Sequence, residues 1–138
     1  PCAGVESLMS GEQRGRARTP DQRREADRRG REGEAEAAMF LAERGWRIIA
    51  ERVKTKAGEI DLVAQRSGLV AFVEVKWRAR APSLGDAIDE RRLARVAAAV
   101  EWVWQDYATQ GEDIRIDVIL LAPGRKPTHI ENAWMPFG

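Results

Sequence analysis

Hydrophobic and polar positions along the chain fall into blocks of different period. From Gly30, GREGEAEAAMFLAERG spaces its apolar residues three or four apart and then meets a glycine. That pattern predicts a helix ending at Gly45, with the glycine in the left-handed conformation that stops helices. WRIIAERV predicts a short strand and KTKAG a turn. EIDLVA and LVAFVEVKW predict two further strands, joined through Gln65-Arg66-Ser67-Gly68 as a hairpin. After a loop with Pro82 and Gly85, the apolar positions Leu93, Val96, Ala97, Val100, Val103, Trp104 and Tyr107 predict a long helix from about Asp86 to Thr109. IRIDVILLA is almost continuously apolar, as in a strand buried on both faces, and THIENAW adds a last short strand. The order α-β-β-β-α-β predicts an α/β fold with a mixed central sheet flanked by helices.

The hairpin pattern carries more than topology. With Ser67-Gly68 as a two-residue turn, Ile60 meets Val75, Leu62 meets Val73 and Ala64 meets Ala71, so one face is wholly apolar. A slip by one residue would drive charges into that face, which supports the register. On the other face Val63 meets Phe72, Asp61 meets Glu74 and Glu59 meets Lys76. Facing acids destabilise a sheet by some tenths of a kcal/mol to about 1. A cation between them removes that cost, and two hard oxygen ligands with room for water suit Mg²⁺ or Mn²⁺. Lys76, two residues on, projects beside such a metal. The alternative is a solvent-facing strand surface, with Glu59 and Lys76 as an ion pair.

Glu34 bears on that choice. Ala37, Ala38, Phe40 and Leu41 define the inward stripe of the first helix, and Glu34 falls within it, whereas Glu36 and Glu43 do not. A carboxylate on a core-facing stripe needs a partner or a metal. Its other explanation is complementarity to the helix dipole.

Composition narrows the chemistry. The chain has 138 residues, 43% hydrophobic and 33% charged, with one Cys and one His. This suits one soluble domain with a substantial core. One cysteine excludes an internal disulfide, and Cys2 with His129 cannot make a zinc site. No nucleophile-elbow pattern accompanies His129. Any catalysis must therefore rest on carboxylates with Lys or Arg. No apolar run approaches the ~20 residues of a membrane span, and no signal-peptide h-region is visible. The expected setting is the reducing cytoplasm.

Charge is uneven. Between Ser10 and Arg31, eight Arg against four acids give +4, on a chain whose net charge is only +1. Residues 1–29 have few large apolar side chains and are expected to form a disordered basic arm preceding a domain at 30–138. Such an arm suits a polyanion, or is simply solvated. Arg52, Lys54, Lys56, Arg78 and Arg80 gather at strand ends, where they could hold phosphates. Trp77 could stack on a base, but it follows the alternation of Val73 and Val75 and is expected in the core. Trp104 lies on the long helix's apolar stripe. Trp102 does not, and is read as exposed or at an interface. Asp117 and His129 are expected in structural roles.

Asp61 followed after twelve residues by Glu74-Val75-Lys76 resembles the PD-(D/E)xK nuclease superfamily. The ordered set GREGEAEAA, Gly58-Glu59-Ile60-Asp61, FVEVKWR, RIDVI and HIENAW resembles the YraN-like family within it, from about Gly30 to Phe137. The resemblance implies a restriction endonuclease-like fold related to Holliday-junction resolvases. It implies Asp61 and Glu74 as ligands of Mg²⁺ or Mn²⁺, Lys76 as the catalytic lysine and Glu34 as a further metal or water ligand. It also implies a nucleic-acid substrate, DNA ahead of RNA, and a resolvase-like role would favour a homodimer. In one respect the chain departs from the family: Arg91 and Arg92 stand where a Lys is usual early in the long helix. Arginine holds phosphate well but transfers protons poorly. A non-catalytic nucleic-acid-binding module is the second function compatible with the pattern.

Overall fold

The computed structural model describes residues 19–78 and 89–134. The chain divides into two units, 1–30 and 31–138. Arg80 and the start of the long helix expected near Asp86 lie outside the described residues.

Helix α1 spans Pro20–Glu43, so it begins ten residues before the expected start, and the disorder expected through residue 29 does not hold from Pro20 onward. The reason is local. The Thr19 N–H donates to Gln22 Oε1 at 2.8 Å while Thr19 Oγ1 accepts from the Gln22 N–H at 3.0 Å. This is a capping box, followed by proline at the first helical position, where a missing N–H costs nothing. Asp21 complements the helix dipole. Arg24 pairs with Asp21, and Arg28 with Glu25, one turn apart. At the other end, the Trp46 N–H reaches the Leu41 carbonyl and the Gly45 N–H the Ala42 carbonyl, both at 3.1 Å. Gly45 takes φ 88°, the left-handed stop expected of it.

Strand β1 covers Arg47–Lys54, β2 Glu59–Arg66, β3 Leu69–Trp77, β4 Asp113–Leu121 and β5 Thr128–Ile130, with helix α2, Glu90–Tyr107, between β3 and β4. They form one mixed sheet in the order β1-β2-β3-β4-β5. Only β3 and β4 run parallel, and α2 is the crossover that a parallel pair requires. The hairpin turn is as expected. Ser67 and Gly68 have φ 47° and 77°, the left-handed pair of a type I′ turn, and Arg66 faces Leu69.

Each face of the sheet is covered by a helix. Ala37 and Leu41 of α1 pack with Leu62, Ala64, Ala71, Val73, Ile119 and Leu121. Leu93, Val96, Ala99 and Val100 of α2 pack with Val63, Val70, Phe72, Ile116 and Val118. Gly33 lets α1 lie close on the sheet, since a β-carbon there would stand 3.2 Å from Leu121 Cδ1. Asp89 caps helix α2: it is extended and its carboxylate accepts the Arg92 N–H at 3.2 Å. Trp77 keeps the alternation of β3 but is 36% exposed. The α1-side cluster reaches Val75 and does not include Trp77, which corrects the expectation of core packing.

Candidate active site

The register of β2 against β3 holds from Arg66↔Leu69 to Leu62↔Val73 and no further. Beyond it the alternation of β2 breaks. Ile60 packs on the α2 side with Val63, not with Leu62 and Ala64. Opposite this break, Arg52 of β1 sits between the pairs Glu51↔Leu62 and Val53↔Ile60, with φ 52°. A left-handed non-glycine residue within a strand marks a local backbone distortion, here without a shift of register, the shift in β1 lying between Ile48 and Ala50. The expected pairs Asp61–Glu74, Glu59–Lys76 and Ile60–Val75 are therefore not ladder pairs.

The distortion turns the Asp61 carboxylate into the place of a backbone partner. The Val75 N–H donates to Asp61 Oδ2 at 2.8 Å. Asp61 is 7% and Glu74 1% exposed, and both carboxyl groups line the same opening. Burial, then the charge of Glu74, raises Asp61 from its ordinary value near 3.8 to about 7, against the Val75 N–H and with a smaller push from Glu34. The proximity of two acids read from the sequence is thus present, but it arises where the strands part rather than where they pair.

Three further side chains from the sequence reading lie around these acids, each with a partner. Arg92 Nε of α2 donates to Glu74 Oε2. Arg52 Nε donates to Glu34 Oε1 at 2.8 Å, which explains how a partly buried glutamate is tolerated on α1. Lys76 has a side chain only 9% exposed, and its Nζ stands 4.0 Å from Asp89 Oδ2, not beside Glu59, which instead faces Lys54 across β1 and β2. Burial, then the charge of Arg78, lowers the Lys76 pKa, with Asp89 opposing. An open cleft of about 240 Å³ reaches Asp61 and Glu74, lined also by Gly58, Glu59, Arg92, Arg95 and Val96. Arg95 was not singled out by sequence reasoning. Its signal was helical spacing, one turn after Arg92 on the same face.

With Glu34 turned to Arg52 and Glu74 to Arg92, no group of three or more His, Cys, Asp or Glu among the described residues is arranged to hold a metal. The donor set that fits a hard divalent cation is the pair Asp61 and Glu74, completed by water. Lys54 and Lys56 stand on the β1–β2 turn, where the Thr55 hydroxyl donates to the Gly58 carbonyl at 2.8 Å and accepts the Ala57 and Gly58 N–H groups.

Asp117 and His129 are not part of this site. They lie on strands β4 and β5 and pair with each other, His129 Nε2 standing 2.8 Å from Asp117 Oδ2. Among the described residues no helix is long and apolar enough to cross a membrane.

The chain matches the model of Uncharacterised protein family UPF0102 over residues 33–121. A UPF0102 protein of Erythrobacter litoralis is 64% identical over 111 residues, covering 80% of this chain and 96% of that protein. One of Sphingopyxis alaskensis is 52% identical with the same coverage. The chain belongs to the UPF0102 family, the YraN-like family that its motifs resemble. Among solved structures, the Holliday junction resolvase Hjc of Archaeoglobus fulgidus matches with a TM-score of 0.49 at 18% identity, over 71% of this chain and 72% of that one.

Proposed function

We propose that this protein is a metal-dependent nuclease that hydrolyses phosphodiester bonds in DNA. The observation that carries the reading is the buried pair Asp61 and Glu74 at the opening between β2 and β3, with Lys76 on the same strand and arginines lining the cleft. Burying two acids together is costly, and a site for Mg²⁺ or Mn²⁺ gives that cost a use. Asp61 and Glu74 would hold the ion, and Glu34 would join them on release from Arg52. When bound, the metal supplies positive charge at a phosphate oxygen and acidifies a water.

The protein's own groups do the rest. Arg95 and Arg92 would hold the phosphates entering the cleft, Arg92 exchanging Glu74 for a phosphate with its fork geometry. Lys76, with its lowered pKa, would orient the attacking water and carry its proton more readily than an ordinary lysine. Lys54, Lys56 and Arg78 would add phosphate contacts along the strand ends, and so would Arg80. The arginine-rich segment through Arg31 would add sequence-independent affinity, so deleting residues 1–29 should weaken DNA binding and flatten its salt dependence.

A second reading is favoured by one observation, the engagement of Glu74 by Arg92 and of Glu34 by Arg52. Acids neutralised in this way suit a nucleic-acid-binding module without catalysis. Titrating Mn²⁺ calorimetrically into the wild type and Asp61→Asn separates the two. Binding in the wild type that Asp61→Asn abolishes, with cleavage of branched, single-stranded or duplex DNA lost in Lys76→Ala, supports the nuclease. Equal metal binding by both proteins, or cleavage that survives Lys76→Ala, would sink it.

A further inference from the structure

Trp102 is 61% exposed. It lies on α2 away from Val96, Ala99 and Val100, the positions that face the core. With Val103 it forms one wall of an open groove of about 440 Å³, and Lys54, Thr55 and Lys56 form the other. Lys56 Nζ stands 6.0 Å from the Trp102 ring centroid. Lys54 and Lys56 form no ion pair among the described residues, although Glu59 faces Lys54 in the ladder. The turn that carries them is fastened by the Thr55 hydroxyl through its bonds to Ala57 and Gly58. The fastened turn thus holds two ammonium groups beside an exposed indole, that of Lys56 over its ring.

The groove is also placed along a path. Arg95 lines the carboxylate cleft, and Trp102 follows it by two helical turns, about 10 Å along α2 by the helix rise. The same β1–β2 turn borders both openings, with Gly58 at one and Lys54 to Lys56 at the other.

We propose that Trp102 is a stacking platform for an unpaired base of a nucleic-acid strand, whose adjoining phosphates are held by Lys54 and Lys56. The charge decides the occupant. A ring flanked by cations suits a ligand that combines a π-face with negative charge. The site deepens the nuclease reading by naming single-stranded or locally melted nucleic acid as the substrate class, and it rests on that reading only for what happens downstream of binding.

The test is fluorescence anisotropy in EDTA, where cleavage cannot contribute, with fluorescein-labelled oligothymidylate and a blunt duplex of equal length as probes. Trp102→Ala should weaken oligothymidylate binding roughly ten-fold and leave duplex binding unchanged. Trp102→Tyr, which keeps a ring, should retain most of the affinity. Trp102→Phe should likewise retain most of it. Equal oligothymidylate binding by wild type and Trp102→Ala overturns the proposal, and the nuclease reading then stands or falls on its cleavage assay. No binding to either probe overturns it as well. If Trp102→Ala instead only shifts the sedimentation of the protein, the ring serves a second copy and the proposal is wrong.

Discussion

Two buried aspartates on neighbouring parts of one sheet have opposite surroundings. Asp117 of β4 is fully buried and surrounded by donors. Arg115 Nε and Nη2 lie at 2.9 and 3.2 Å, His129 Nε2 at 2.8 Å and the Asn132 N–H at 2.9 Å. Burial alone would raise its pKa, but His129, Arg115 and Asn132 together hold it below the usual carboxylate range. The cluster is sealed by rings: His129 meets Phe40 and Trp46 edge-on, and Arg115 lies over Trp46. Asp61 has one backbone donor and an acid beside it, and its pKa rises to about 7. A sheet can bury a carboxylate for stability by saturating it. A carboxylate left poorly satisfied carries a burial cost, which at Asp61 the proposed metal would offset.

The largest effect should come from the saturated acid. Asp117→Ala leaves Arg115 and His129 without their partner and should cost about 3–5 kcal/mol in urea unfolding. A loss below about 1 kcal/mol would mean that the cluster is not the brace described.

Next comes the pH dependence of stability, where the two acids differ in sign. Asp61 binds its proton more tightly folded than unfolded, so its burial is free of charge cost below its ordinary value near 3.8 and carries the full cost above about 7. Stability should therefore fall as pH rises through that window, by at most about 4 kcal/mol. Asp61→Asn should flatten the curve between pH 4 and 8. Asp117, with its lowered pKa, works the other way: its contribution is present above its unfolded pKa and is lost as pH falls through its folded one. Denaturation curves at several pH values would test both signs, and a wild type indifferent to pH across the upper window would contradict the account of Asp61.

Arg92→Ala strips Glu74 of its guanidinium. Because Arg92 is half exposed, the loss should be only about 1–2 kcal/mol, and added Mn²⁺ should restore it if the acids take a metal. The smallest effect is expected from Arg52→Gly. It removes the pair with Glu34 but relieves a left-handed residue, so the two should cancel to within about 1 kcal/mol. Thermal melts would resolve these last two.

The sequence made the regular parts legible. Alternation set the register from Leu62 to Arg66 against Leu69 to Val73, helical spacing set the inward face of α2, and glycines marked the stop of α1 and the hairpin turn. The pairing of Asp117 with Arg115 could be read from one strand. What escaped depends on neighbours distant in sequence. The parting of β2 from β3 goes with a distortion in β1 at Arg52, and nothing in Glu59 to Asp61 announces that Ile60 changes sides. The partners Arg92 of Glu74 and Arg52 of Glu34 are long side chains crossing between elements, which periodicity does not report. The early start of α1 is a different case. Thr19, Pro20 and Gln22 spell a capping box, and the lack of apolar residues overshadowed it.

Gly33 sets a tolerance for the candidate site from outside it. The residue after it is Glu34, and the helix backbone here rests against Leu121 with room for a hydrogen but barely for a methyl. Alanine at this point would act as a shim, pushing Leu121 or the helix by a few tenths of an ångström. Glu34 would shift with the helix while every side chain of the site kept its identity. The alignment of one carboxylate with the opening of the sheet is thus calibrated by the thickness of a missing side chain.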